Sequence, residues 1–280
     1  MDGNTGALQP IFTAHLFQKL EGMLIELLRS LTTQDWERQT LAPKWKVKDV
    51  AAHLLDTQLR KLSASRDRHT LETPKITSHA DLVTLINSLN AEGVKKYSQL
   101  SRDELISRME AASRESAEYH QSLDPFAPAM FPVSWAGEEE SANWFDTARE
   151  FTERWHHQQQ IRIAVDKPGI MTREFYFPVL DCFLRGLPHA YRNLPGKTGT
   201  LAQFNVAGEC GGSWYLFRDD SWKLVSSATG EKVSETTIPQ EIAWRIFTKG
   251  ITREAAEGQI EVTGDTEIGL HVLGMVSIVG

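Results

Sequence analysis

The stretch Trp45-Lys-Val-Lys-Asp-Val-Ala-Ala-His-Leu54 decides how the first half of the chain is read. Asp49 stands where the first turn of a helix would put it, and a negative charge is favoured there by the free N–H groups of the helix start. Val50 and Leu54 are four apart and share a face, so the pattern predicts a helix over about 47–66 with His53 near its beginning. Working outward, Ile11, Leu16, Leu20, Leu24, Leu27 and Leu31 recur mainly at three- and four-residue steps, the stripe of an amphipathic helix. Thr32-Thr-Gln-Asp35 breaks that stripe. Further helices are expected at 80–100, carrying Leu82, Leu85, Ile86, Leu89 and Val94, and at 140–165, which ends at Asp166-Lys-Pro-Gly169, a stop signal. The stretch 102–123 reads either as another helix or as part of a long excursion. Pro125, Pro128 and Pro132 make 124–132 a loop. Long helices joined by loops suggest an antiparallel bundle.

The character changes after about residue 170. One more helical stretch, 172–192, contains Pro178 and Pro188, which should kink or divide it. Asn193-Leu-Pro-Gly-Lys-Thr-Gly199 reads as a linker, followed by strand-like runs at 204–206, 213–217 and 222–225 with a turn at 219–221. A short helix is expected over 239–249, then an alternating strand at 259–262, a turn at Gly264-Asp265 and an apolar C-terminal segment. The expected fold class is α plus α+β: a helical bundle and then a small α+β domain.

Composition bounds the function. The chain has 280 residues, 41% hydrophobic and 24% charged, with a formal net charge of −7. That is an ordinary globular composition, and it carries no clustered Lys/Arg stripe of the kind that neutralises phosphates, so no nucleic-acid partner is expected. No apolar run approaches the roughly 20 residues of a membrane helix. Residues 1–6, Met-Asp-Gly-Asn-Thr-Gly, lack the basic and apolar regions of a secretory leader. Cys182 and Cys210 are too few for a disulfide framework. A cytoplasmic protein is expected.

Two places hold histidine in a setting that suggests a metal. One is His53. The other is Glu153-Arg-Trp-His-His157, where residues 153 and 157 are four apart and share one helical face. Together they would make a His₂Glu site with a position left open for water or substrate, as in catalytic zinc centres. Against this, a lone histidine near a helix start is ordinarily a satisfied polar residue, and Glu and His four apart are ordinarily a solvated pair. His156 points about 100° away from His157 around the helix, so it is the poorer ligand.

Read together, the two segments narrow the choice. Trp45, Asp49, His53 and Leu54 resemble the Trp-(Ser/Thr)-x-x-(Asp/Glu)-x-x-x-His-Leu signature of the DinB-like superfamily, and within it the metal-binding domain of mycothiol-dependent maleylpyruvate isomerases. Trp214, Trp222-Lys-Leu, Ala243-Trp-Arg245 and the segment from Gly264-Asp265 to Val279-Gly280 look like the sterol-carrier-like domain attached to these isomerases. The resemblance implies a DinB-like four-helix bundle over 1–168, a connecting helix and linker over 169–198, and a sterol-carrier-like α+β domain over 199–280. It also implies a divalent metal, zinc first and nickel as the alternative, held by His53, Glu153 and His157. Lys46 departs from the pattern where the family often has Ser or Thr. That bears on helix capping, worth about 1 kcal/mol, more than on ligation.

What the resemblance implies chemically is a low-molecular-weight thiol as cosubstrate. Its thiolate adds to an electron-poor double bond of a small acid, the bond rotates, and elimination releases the trans isomer; S-transfer is the other outcome. Arg154, Arg245 and Arg253 are candidate cations for an anionic substrate, although surface arginines are mostly solvated. Trp144 and Trp155 fit a core better than a substrate platform, Cys182 reads as a buried, inert thiol, and Gly211-Gly212 is too short for a phosphate loop. The competing reading is a non-catalytic module that holds an apolar ligand in the C-terminal domain, with a metal that only stabilises the bundle.

Overall fold

The computed structural model of the chain describes residues 8–69, 75–227 and 230–278. The N-terminal stretch 1–6 and the closing Val279-Gly280 lie outside the described residues. The class is α plus α+β, with helices along the chain and a five-stranded mixed sheet in the C-terminal part. Among the described residues no helix is long and apolar enough to cross a membrane. The chain divides into two compact units: one takes the described residues of Phe12–Met130 and Glu150–Ile170, the other Phe131–Arg149, Met171–Ile278 and the described residues up to Ile11.

The first unit is helical. It holds α1 (Phe17–Arg29), α2 (Thr33–Trp36), α3 (Val47–Lys61), α4 (His79–Tyr97), α5 (Arg102–Ser122) and the larger part of α6 (Asn143–Ala164). The Thr32–Asp35 break is a one-turn helix, because Thr32 and Asp35 close a reciprocal cap in which each side chain accepts the other's backbone N–H. Stretch 102–123 resolves as the single long helix α5, started by Ser101, whose hydroxyl accepts from Glu104 N–H. The expected 47–66 helix is α3 followed by a π-helical turn at Leu62–Arg66, where Asp67 N–H donates to Leu62 O at 3.0 Å. At the start of α3 the Asp49 carboxylate accepts from Lys46 N–H at 3.0 Å, and the Lys46 ammonium pairs with Glu37 at 2.8 Å. Lys46 therefore does without the hydroxyl cap that the family pattern favours.

In this unit α3 packs on α4 and α5, and α1 packs on α5. Leu24, Leu28, Val50, Leu54, Leu105, Met109 and Ile161 form part of one continuous apolar core. Gly22 sits exposed in the middle of α1, and a Cβ added there meets nothing within 4 Å. Glycine costs about 0.5–1 kcal/mol relative to alanine inside a helix. Gly22→Ala is therefore expected to raise stability by about that amount in chemical denaturation, and a loss of stability would refute the reading.

The second unit carries the sheet. Its helices are α7 (Arg173–Leu184), α8 (Leu187–Tyr191), α9 (Gln240–Phe247), α10 (Arg253–Glu257) and α11 (Thr266–His271). Its strands are β1 (Thr200–Ala207), β2 (Gly212–Arg218), β3 (Trp222–Val225), β4 (Glu231–Pro239) and β5 (Glu261–Gly264), in the order β3-β2-β1-β4-β5. Only β1 and β4 run parallel; the other neighbours are antiparallel. The stretch 172–192 is divided as expected, at Gly186 with Pro188 in the first turn of α8, whereas Pro178 lies within α7 without ending it.

The core of this unit includes Tyr176, Tyr191, Phe204, Trp214, Leu216, Ile238, Trp244 and Phe247. Its buried tyrosine tips are satisfied: Tyr176 Oη donates to Gln240 O at 2.6 Å, and Tyr191 Oη to Ile268 O at 2.7 Å. The sequence reading missed β4, because its most buried positions are Ser234 and Thr236 together with Ile238, rather than an apolar run. The two hydroxyls donate to Asp265 O and Gly269 O at 2.8 and 3.1 Å, which is how polar side chains occupy a core face.

Candidate metal centre

The candidate centre lies in the helical unit, on α3 and α6. His53 comes from the first half of α3, whose apolar neighbours Val50 and Leu54 are fully buried, so its imidazole is carried into the interior with them. Glu153 and His157 project from one face of α6. One potential ligand atom from each of the three residues lies within 4.8 Å of the others, so side-chain adjustment would bring all three onto an ion with bonds of about 2.0–2.2 Å. The His157 Nε2 to Glu153 Oε2 distance is 3.5 Å, and the His53 and His157 ring centroids are 4.6 Å apart at 68°. Both imidazoles are buried, whereas the Glu153 side chain keeps 24% of its surface exposed.

Electrostatics fit a cation. Burial and the neighbouring His157 charge hold His53 well below the ordinary imidazole value, so at pH 7 it is neutral, the form that ligates. For Glu153, burial works to raise the carboxyl. In acid, where the imidazoles carry protons, the fields of His156, His157 and His53 and the contact with His157 outweigh it, and hold Glu153 far below the usual carboxylate range. Nδ1 of His53 is buried without a hydrogen-bond partner, a cost that proteins seldom leave standing. Two imidazoles and a carboxylate gathered in one cluster fit a divalent ion as a donor set.

The surroundings hold these side chains in place. The Trp45 indole lies against both candidate ligand rings, with centroids 4.6 Å from His53 and 5.9 Å from His157. Its backbone is fixed just as firmly: Trp45 O accepts from Thr40 N, Thr40 Oγ1 and Gln39 Nε2 at 3.2, 2.7 and 2.9 Å. His157 Nδ1 meets Gln160 Oε1 at 2.9 Å. The sequence reading missed Gln160, although a helical wheel drawn from His157 would have placed it one turn on, on the same face. His156 is not one of the three converging residues, although its ring lies 3.9 Å from that of His157 between centroids. Its Nδ1 donates to Thr152 O at 2.9 Å, and burial with the His157 charge pushes it down to about 4.

A family profile for the mycothiol maleylpyruvate isomerase N-terminal domain matches residues 17–162, more than half of the chain. The chain belongs to this family. The matched span contains α1 to α5, most of α6 and all three candidate ligands. The crystal structure of a mutant of the mycothiol-dependent maleylpyruvate isomerase shares the fold at 11% identity, covering 90% of this chain and 92% of that one with a TM-score of 0.52. A second crystal structure of the mycothiol-dependent maleylpyruvate isomerase aligns at 12% identity over the same shares, with a TM-score of 0.48. No curated protein sequence matches the chain.

The other residues singled out from sequence have other partners. Arg154 is 1% exposed and pairs inside the helical unit with Glu150 and Glu21. Arg245 and Arg253 belong to the sheet-bearing unit, where they donate to Gly250 O and Leu270 O. Trp155 is wholly buried, its Nε1 donating to Ile170 O at 3.0 Å, and Trp144 stacks on Phe145. Burial pushes the Cys182 thiol far up, so it stays protonated. At Gly211 an added Cβ would collide with Val206 O, so this glycine serves a tight approach of backbone to backbone.

Proposed function

We propose that the chain is a divalent-metal-dependent, thiol-dependent enzyme, an isomerase or S-transferase that acts on a small electrophilic acid in the manner of a maleylpyruvate isomerase. The observation that carries this is the convergence of His53, Glu153 and His157 in the interior of a domain of the mycothiol maleylpyruvate isomerase family. The solved protein that shares the fold is a mycothiol-dependent enzyme, which supports a low-molecular-weight thiol as cosubstrate. Zinc is the first choice of metal and nickel the second, since imidazole and carboxylate donors suit both.

A divalent ion held by two neutral imidazoles and one carboxylate keeps a net positive charge, and it supplies the field that stabilises a thiol as its thiolate at neutral pH. The chain's own contribution is to hold that donor set ready. His53 stays neutral because it is buried, Glu153 stays ionised, and Trp45 confines both rings. Arg154 is committed to Glu21 and Glu150, so the cation that meets an anionic substrate is another group. Closed structural zinc sites use four protein ligands, commonly thiolates; here the cluster has three N/O donors, and both cysteines belong to the other unit.

We read the helical part, 1–168, as a DinB-like four-helix bundle, 169–198 as the connecting segment, and 199–280 as a sterol-carrier-like domain. The protein is taken as cytoplasmic, with small molecules as partners rather than nucleic acid or membrane. The test is to load metal-free protein with one equivalent of Zn²⁺, add mycothiol or another small thiol, and follow maleylpyruvate by proton NMR. Conversion to the trans isomer that needs both zinc and thiol is expected. No zinc uptake, or no reaction with any thiol and electrophilic acid after uptake, would overturn the proposal.

A further inference from the structure

A neutral imidazole has one bare nitrogen and one N–H, and only the bare one can ligate. A buried ligand histidine therefore needs something that decides which nitrogen carries the proton. In metal centres this is ordinarily a hydrogen bond to the far side of the ring, which also fixes the ring plane. The two imidazoles of the candidate centre differ here. Nδ1 of His53 has no hydrogen-bond partner, and its ring is held by packing against Trp45, 4.6 Å between centroids. His157 has a partner: Gln160 presents its amide oxygen to Nδ1 at 2.9 Å.

Three features make this bond an effective constraint. Gln160 and His157 are three apart on one helix, so the helix itself sets their spacing. Both residues are buried, at 6% and 7% exposure, which keeps competing water away. And Oε1 can only accept, so Nδ1 must donate, which leaves Nε2 bare; Nε2 is the nitrogen that stands 3.5 Å from Glu153 Oε2.

We propose that Gln160 is the positioning residue of this centre, fixing His157 in the Nδ1–H tautomer so that Nε2 is the atom offered beside Glu153. The inference rests on the metal-centre reading above. It makes His157 the anchored imidazole ligand and His53 the one held by shape alone. Removing a partner of this kind typically lowers metal affinity by about 10–100-fold.

The experiment compares native protein with Gln160→Leu, which cannot accept, and Gln160→Glu, which still can. Zn²⁺ affinity is measured by competition with a chromophoric chelator. The tautomer is read from the ¹⁵N shifts of His157 in metal-free protein at about pH 9, well above the ordinary imidazole value of about 6.5. Gln160→Leu is expected to bind Zn²⁺ about 10–100-fold more weakly and to lose the uniform Nδ1–H signature, while Gln160→Glu keeps that signature and binds at least as tightly as native. Melting of the metal-free proteins is followed in parallel, and equal melting of native and Gln160→Leu separates positioning from general support of the fold. Native uptake with unchanged affinity in Gln160→Leu, or a native His157 protonated at Nε2 alone, overturns this inference only. Failure of the native protein to take up Zn²⁺ overturns the centre, and the inference with it.

Discussion

His157→Ala is expected to abolish tight divalent-metal binding and leave the helices folded. The side chain supplies one of three converging donors, and its loss leaves His53 and Glu153 as a two-point site on different helices. Alanine is a good helix former, so α6 should persist through the change, with loss of the Trp45 and His53 ring contacts as the main packing cost. A ligand that binds only the folded protein stabilises it by about 2.7 kcal/mol at 100 times its Kd. For a unit of about 150 residues that is a rise of roughly 5–11 °C in melting temperature. Zinc should therefore raise the melting temperature of the native protein by several degrees and leave that of His157→Ala unmoved. Elemental analysis should find about one metal per native chain and next to none in the variant. Glu153→Gln tests the charge: it keeps the size but loses the anion that His53 and His157 surround. Equal zinc uptake by native and His157→Ala would show that the cluster is an ordinary buried polar contact.

The helices were legible because their apolar spacing is regular. The candidate trio stood out because a motif ending in His53-Leu54 and a Glu-x-x-x-His on a helix each carry a spacing that chemistry can use, and the fold brings the three side chains together. What spacing could not supply was the company those residues keep. Gln160 is the last of three consecutive glutamines, Gln158 to Gln160; a helical wheel picks out the third, but its bond to His157 Nδ1 shows only in the folded chain. Trp45 was legible as a motif residue, but its contact with the His53 and His157 rings needs the folded loop. Strand β4 escaped because Ser234 and Thr236 fill core positions by hydrogen bonding, against the hydrophobic alternation that reveals a strand. Helices α10 and α11 escaped because each is short and rests on a single side-chain cap, Thr252 or Asp265. Arg154 shows the opposite failure. A lone arginine beside a candidate ligand suggested a substrate contact, yet it lies at the centre of a buried charge network that no local pattern announces.

That network sets the largest expected effect on stability. Arg154 donates from Nη1 to Leu54 O and Thr57 Oγ1 at 3.2 and 2.8 Å and from Nη2 to Glu150 Oε2 at 3.3 Å, and its Nε lies 3.6 Å from Glu21 Oε1. Glu21 also accepts from Gln58 Nε2 at 2.8 Å and Ser113 Oγ at 3.0 Å, and Lys61 Nζ stands 3.7 Å from Glu150 Oε1. Removing one partner of a buried pair leaves an uncompensated charge and costs about 3–5 kcal/mol. Arg154→Ala should then lower the melting temperature of the helical unit by about 6–20 °C.

The loss should depend on pH, in a direction fixed by Glu21. Burial raises the Glu21 carboxyl above its ordinary value, against the opposing pull of Arg154, Ser113 and Gln58. A carboxyl raised by folding binds its proton more tightly folded than unfolded. Its stabilising contribution is therefore present in acid and is lost as pH rises through the folded value. Without Arg154 the carboxyl rises further, so the gap between native and variant should be smallest in acid, where Glu21 is protonated, and should widen toward neutral pH. Adding Glu21→Gln to Arg154→Ala removes the stranded charge and should recover part of the loss, with the recovery greatest at neutral pH, a coupling that a double-mutant cycle measures. A loss below about 1 kcal/mol, independent of pH, would reduce this pair to the standing of an exposed ion pair and leave the apolar core alone to account for the helical unit's stability.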